Sequence, residues 1–472
     1  VSVTLPDCLQ IVERGDYVVV QRQNYHKLYK ATEHGTLMLG KLSLDMSGII
    51  GNPVWTTYEV DQKGPGMRSH PLRKTNVVES LSEDLKSVLP SGLDNRTIVD
   101  DGTSQLLSTE QIASLREAGK SGKEIVGKLI ENSKTFHNKT EYSQAKYLKK
   151  KEKKYFRYIT IRKPTIPLLH DIFFRMDHQK ISGLRMDTLA QLLSYSGVKA
   201  DGLYMLYDSG SQGLPAAAML HRIGANTNGK LLHIHPGNIP QKYLVQAMNF
   251  PEEQLNRMIF VNIHSLLRMY YQGIESILEE WKSGEKSKTS DLDVIDFSRE
   301  HSDLKKNDTE NSDEITVVDL EEDEELIDKQ EVAANSEADK TSENKDLKRK
   351  LDDKINHGPP KKPKWLSFAE EAVDLIKKTK AEGLVIVAKE HPLNIIKSLL
   401  PFLGASRPFV IYHASREPLQ ETYVALKQRS DVINLRLFTN FLRSYQVLPD
   451  RTHPDILMSD TGGYLLYGYS VE

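Results

Sequence analysis

One cysteine, Cys8, stands in 472 residues. That leaves no intrachain disulfide, no cysteine-ligated metal and no thiol redox pair, and it fits a reducing compartment. The sequence also has no run of about 18 apolar residues and no basic start followed by an apolar stretch, so neither a membrane span nor a secretory signal is expected. A P-loop, Gly-x-Ser-x-Gly and His-Glu-x-x-His are all missing. Asp460-Thr-Gly-Gly463 has the letters of an aspartic-protease motif, but it precedes the last strand of an α/β pattern, which is the wrong context. A soluble intracellular protein is expected.

What the chain has is charge, unevenly placed. Residues 283–357 hold 24 Asp and Glu against 12 Lys and Arg, which leaves 51 basic against 41 acidic residues elsewhere. The acidic stretch lacks periodicity and reads as a disordered insertion over 283–364. At its end Lys348-Arg-Lys350 and Lys361-Lys-Pro-Lys364 have the spacing of a two-part nuclear import signal, so the nucleus is the expected location. The basic remainder predicts a polyanionic partner.

The densest positive charge lies between Lys134 and Lys163, with 11 Lys and Arg against Glu141 and Glu152. Capping-box pairs Ser108/Gln111 and Ser121/Glu124 open two helices, and a third begins near Asn138. On the third helix Lys146, Lys150, Lys153, Lys154 and Arg157 share a broad face, while Tyr147, Leu148 and Tyr155 can dock it. Lys139 and Lys149 belong to the same run. Uncompensated charge of this kind suits a phosphate backbone; the plainer reading is a solvated helix, or one paired with the acidic insertion.

Short strands with glycines at their corners (17–21, 25–30, 36–44, 56–60) predict a small β-barrel-like domain over 1–75, in which 64–75 reads as an exposed loop. Residues 76–165 are the helical basic linker region. From Gly202 buried strands alternate with helices, which predicts an α/β domain with a class I methyltransferase-like, Rossmann-like sheet in two parts, 166–282 and 365–472. Its first strand, Leu203 to Asp208, leads into Ser-Gly-Ser-Gln-Gly213 and an Ala-rich helix, the layout that offers a strand to a nucleotide-like cofactor. The loop is short of glycine. Asp208, Gly210 and Gly213 remain, but Gln212 and Leu214 stand where later glycines would let backbone approach a ligand. The second strand ends in His233-Ile-His235 with no acid for ribose hydroxyls, and packing suits these histidines better than a metal. No cofactor is expected, and Arg185 and Asp187 read as a structural pair.

Several stretches together carry a resemblance: Asn95-Arg-x-Ile-Val-Asp-Asp101, Lys139-Thr-Glu-Tyr-Ser-Gln-Ala-Lys-Tyr147, Leu184-Arg-x-Asp-Thr-Leu-Ala-Gln191, Arg451-Thr-His-Pro454 and Gly462-Gly-Tyr-Leu-Leu466. On these the chain resembles the non-catalytic, tRNA-binding subunits of the eukaryotic tRNA (adenine-N1)-methyltransferase. The resemblance implies a methyltransferase-like domain that has lost donor binding, tRNA as a partner, and a heterotetramer with a catalytic sister subunit that modifies a T-loop adenine. It also implies a partner interface near Arg451, His453, Tyr464 and Leu466. The competing expectation is an active S-adenosylmethionine-dependent RNA methyltransferase.

Overall fold

The structure, a computed structural model, describes residues 10–76 except 24, 41, 62, 63 and 65, residues 104–275 except 119 and 121, and residues 364–447, 452–456 and 462–471. Described residues of 10–275 and 368–471 form one compact unit.

The chain opens with six strands: β1 (Tyr17–Arg22), β2 (Tyr25–Lys30), β3 (Thr36–Leu39), β4 (Leu42–Asp45), β5 (Thr57–Val60) and β6 (Leu72–Thr75). The stretch expected as one strand over 36–44 is a hairpin, β3 against β4, turning at Gly40 with φ +61. The expected loop 64–75 ends in β6, whose residues pair with β5. Helices α1 (Thr109–Glu117), α2 (Gly122–Glu131) and α3 (Glu141–Tyr155) follow, then β7 (Tyr158–Arg162). The capping box at α1 is formed: Ser108 N donates to Gln111 Oε1 at 2.9 Å and Gln111 N to Ser108 Oγ at 3.2 Å. Ser121 of the second box lies outside the described residues, as do Asn95 to Asp101 and residues 283–363.

β7 corrects the expected boundary at residue 75. The five-stranded antiparallel sheet runs β2-β1-β7-β5-β6, so its middle strand comes from the end of the basic region. Ile159 and Ile161 alternate inward on β7 and join Val18, Val20, Leu44, Ile49 and Val60 in one core, and a sheet missing its middle strand would leave that core open. Helices α2 and α3 pack through Val126, Leu129, Leu148 and Tyr155 in a second core.

Next come α4 (Ile166–Asp177), α5 (Met186–Tyr195), β8 (Leu203–Asp208), α6 (Leu214–Ile223), β9 (Lys230–His235), α7 (Tyr243–Ala247), α8 (Glu252–Leu255), β10 (Met258–Asn262) and α9 (Ile263–Gln272). After the acidic stretch follow α10 (Lys364–Lys378), β11 (Gly383–Val387), α11 (Pro392–Leu399), β12 (Arg407–His413), α12 (Glu417–Lys427), β13 (Val432–Phe438), the two-residue strands β14 (Tyr445–Gln446) and β15 (His453–Pro454), and β16 (Tyr464–Ser470). The large sheet has the order β10-β9-β8-β11-β12-β16-β13. Its first five strands are parallel, and β16 enters antiparallel between β12 and β13. That order, with one reversed strand beside the edge, is the class I methyltransferase sheet expected from the alternation of strands and helices.

The small sheet docks on the large-sheet domain. Tyr17 and Asn249 exchange two hydrogen bonds, Tyr17 N to Oδ1 at 2.9 Å and Nδ2 to Tyr17 O at 2.7 Å. His26 on β2 lies 3.2 Å from Asp171 on α4.

Candidate functional site

The strand order reverses at β8, which has β9 on one side and β11 on the other, and this switch point is where an open α/β sheet binds a nucleotide-like ligand. β8 is buried along its whole length and delivers Asp208 to that crevice. Gly210 and Gly213 follow in the left-handed region at φ +87 and +78, and Gln212 joins them there at φ +57. The loop thus keeps the bend of a donor-binding turn. Its polar groups, however, are taken by the chain itself. Ser182 Oγ donates to Gly210 O at 2.8 Å, and Gln212 N donates to Gln241 Oε1 at 2.8 Å. Ser209 Oγ donates to Glu390 Oε2 at 2.5 Å and accepts from Lys389 N at 2.9 Å. Lys389, just past β11, lays its side chain against Gly210 so closely that a Cβ there would collide with it, and at Gly213 a Cβ would stand 2.5 Å from the Gln241 carbonyl oxygen. The room these glycines leave is used for internal packing.

The second strand agrees. His235 donates through Nδ1 to the Gly237 carbonyl oxygen at 2.8 Å, a short closure of its own turn. His233 is wholly buried, with Nε2 3.7 Å from Asp208 Oδ2. Ser211 Oγ donates to Asp208 Oδ1 at 2.5 Å, while Oδ2 and both ring nitrogens of His233 have no hydrogen-bond partner among the described residues. Burial pushes the Asp208 carboxyl up to about 7 and the His233 imidazole down to about 3, so each favours its neutral form. The two histidine rings lie 6.4 Å apart, and among the described residues no group of three His, Cys, Asp or Glu is placed to hold a metal.

The lysine helix ends at Tyr155, so Arg157, expected on its charged face, lies beyond it. Leu148 and Tyr155 are buried against α2, while Lys146, Lys149, Lys150 and Lys154 are exposed. Lys139 and Arg157 are half-buried at its two ends. Lys139 and Lys151 bracket the Tyr147 ring, their Nζ atoms 5.4 and 5.2 Å from its centre. Burial, with Lys154, Lys150 and Lys139 nearby, holds the Lys151 ammonium below the usual lysine range. The Lys153 side chain lies outside what the structure describes.

The residues expected at a partner interface divide. Leu466 sits in the middle of β16 between Ile411 and Leu437 and is fully buried, so it belongs to the core and not to a surface. Tyr464 is half-buried, His453 is exposed on β15, and Arg451 lies outside the described residues. Two of the resembling stretches meet. Arg185 pairs with Asp187 through Nε at 2.6 Å and Nη2 at 2.9 Å, and donates to Asn440 O at 3.0 Å. A Cβ on Gly462 would clash with Arg185 and Thr188, so this glycine lets the two stretches touch. Beyond Asn440 the chain exposes Phe441 at 85% and Ile456 at 93%, with Tyr445 and Val447 also exposed. A surface cleft of 340 Å³ lined by Gln420, Tyr423, Val424, Leu435 and Leu437 adjoins the edge strand β13. Sequence reasoning missed Lys389, Glu390, Phe441 and Ile456. The first two lie about 180 residues from the loop they fill, with no local signal; the last two could have been found as apolar residues in a stretch without periodicity.

A profile described as the Gcd10p family matches residues 11–325. A mouse protein named tRNA (adenine(58)-N(1))-methyltransferase non-catalytic subunit TRM6 is 34% identical over 465 residues, covering 98% of this chain and 88% of that protein. The Dictyostelium discoideum protein of the same name is 27% identical over 98% of this chain and 80% of its own length. Among solved structures, a SAM-dependent O-methyltransferase from Thermotoga maritima aligns with a TM-score of 0.42 at 11% identity, covering 98% of this chain and 95% of that one. With the family match covering more than half of it and a relative similar along nearly its whole length, the chain belongs to the Gcd10p family.

Proposed function

We propose that this chain is the non-catalytic subunit of a tRNA (adenine-N1)-methyltransferase: it binds tRNA and holds a catalytic sister subunit that forms N1-methyladenosine in the T-loop. The observation that carries the reading is the switch point of the large sheet, where Lys389, Glu390 and Gln241 occupy the donor loop that the fold would otherwise offer. A methyltransferase frame kept without donor room serves assembly and binding. Support for tRNA comes from the exposed Lys146, Lys149, Lys150 and Lys154 on one helix, with Lys139, Lys153 and Arg157 in the same run, as point charges suited to backbone and shape more than to base identity. Support for a protein partner comes from Phe441, Tyr445, Val447 and Ile456, an exposed apolar group next to an edge strand. The assembly proposed is a heterotetramer of two plus two, with His453 and Tyr464 at or beside the contact and the import signal at 348–364 directing it to the nucleus.

Calorimetric titration with S-adenosylmethionine tests the division of labour, on the isolated chain and on its mixture with the catalytic subunit. The mixture binds the donor and the isolated chain gives no saturable heat. A fitted site on the isolated chain would return the protein to the class of active methyltransferases.

A further inference from the structure

The small sheet carries a side-chain pair that neither the donor loop nor the lysine helix uses. Trp55 lies just before β5 with 49% of its surface exposed, and the Arg162 guanidinium, at the end of β7, lies 4.5 Å from the centre of its ring. The backbone fixes this pair: Trp55 N donates to Ile161 O at 2.6 Å, and Ile161 N donates to Thr56 O at 3.0 Å. Trp55 itself sits at φ +71, in the left-handed region that bulky L side chains rarely adopt. The other non-glycine residues found there are Gln, Ser and Asn. A glycine would make this turn without strain, so a tryptophan at the position works against the fold, and such strain collects where a side chain is presented to a ligand.

The surroundings say which ligand. Arg162 Nη1 donates to Gln21 Oε1 at 3.1 Å, its Nε has no hydrogen-bond partner, and no carboxylate pairs with it among the described residues. Lys74 is exposed and reaches the same loop, donating to Asn52 Oδ1 at 3.1 Å. A flat ring with a guanidinium against it, which no carboxylate pairs with among the described residues, suits a nucleotide, whose base stacks and whose phosphate meets the charge. Position agrees: β7 leaves the foot of the lysine helix, and at about 3.3 Å per residue Arg162 lies only on the order of 13 Å along the strand from Tyr158, within the span of one RNA.

We propose that Trp55 and Arg162 form a stacking platform for an unpaired RNA base, a second contact on the RNA that the lysine helix holds. The inference rests on the reading of the chain as tRNA-binding. Trp281 and Trp365 are replaced by Phe, fluorotryptophan is incorporated into this chain alone, and the complex with the catalytic subunit is titrated with unmodified tRNA. The Trp55 fluorine signal shifts on saturation; Trp55→Ala weakens binding roughly tenfold with the salt slope unchanged, and Trp55→Phe restores most of the loss. A tRNA-saturated complex whose Trp55 signal has not moved, or Trp55→Ala affinity within about twofold of the parent, overturns the platform and leaves tRNA binding standing. A folded complex that does not bind tRNA overturns both. A shift produced by the catalytic subunit before RNA is added makes Trp55 a protein contact and likewise ends the proposal.

Discussion

Lys389 lies across Gly210, joining the end of β11 to the turn after β8 at the switch point of the sheet. The two glycines of that turn are blocked differently. At Gly210 the obstacle is a flexible lysine side chain, and at Gly213 it is the Gln241 backbone carbonyl. Both have positive φ, so Gly→Ala costs about 1 kcal/mol at either position, and the rigid neighbour adds to it at Gly213. Gly213→Ala is therefore expected to melt below Gly210→Ala in thermal unfolding. The reverse order would mean that Lys389 is held more firmly than Gln241.

Asp208 and His233 predict how stability responds to pH. Asp208 is raised from its usual 3.8 to about 7 in the fold, so its contribution is complete below about pH 4 and is lost as pH rises towards 7. His233 is lowered from 6.5 to about 3, so its contribution is complete above about 6.5 and is lost as pH falls towards 3. The two slopes oppose each other between about pH 4 and 6.5. Asp208→Asn removes one of them, and the variant should gain on the parent steadily as pH rises from about 4 to 7. Urea midpoints across that range check it; parallel curves would show that the carboxyl is not perturbed.

The lysine face predicts a salt dependence. Each phosphate contact releases counterions worth roughly 0.7 to 0.9 in the slope of log K against log salt. Reversing Lys146, Lys149, Lys150 and Lys154 to Glu should weaken tRNA binding by the assembled complex and flatten that slope. An unchanged slope would leave α3 as a solvated helix.

Phe441 and Ile456 predict an assembly defect without a folding defect. Both are almost fully exposed in the chain alone, so Phe441→Ser and Ile456→Ser should leave its melting temperature within a degree or two while reducing co-purification with the catalytic subunit. Leu466→Ala is the contrast: a fully buried side chain in the middle of β16, whose loss should cost about 2 to 5 kcal/mol of stability. Intact assembly in both surface variants would move the partner contact elsewhere.

The sequence by itself determined what depends on neighbours a few residues away. The alternation of apolar strands and helices after Gly202, the capping box at Ser108, the charged and apolar faces of α3, and the missing glycines at Gln212 and Leu214 are all local, because the periods of 2 and 3.6 and the backbone preference of a single residue are written into consecutive positions. Only the tertiary structure decided which distant segments meet. It took β7 from beyond the helical region into the middle of the first sheet, because β1 and β5 needed a partner that would close their core. It buried Leu466, which reads like its alternating neighbours until β12 and β13 flank it. And it brought Lys389 and Glu390 across some 180 residues onto Ser209 and Gly210, so that a loop with part of its glycine pattern intact became an occupied one. Such pairings are fixed by which surfaces fit and which polar groups find partners, and no window of consecutive residues contains them.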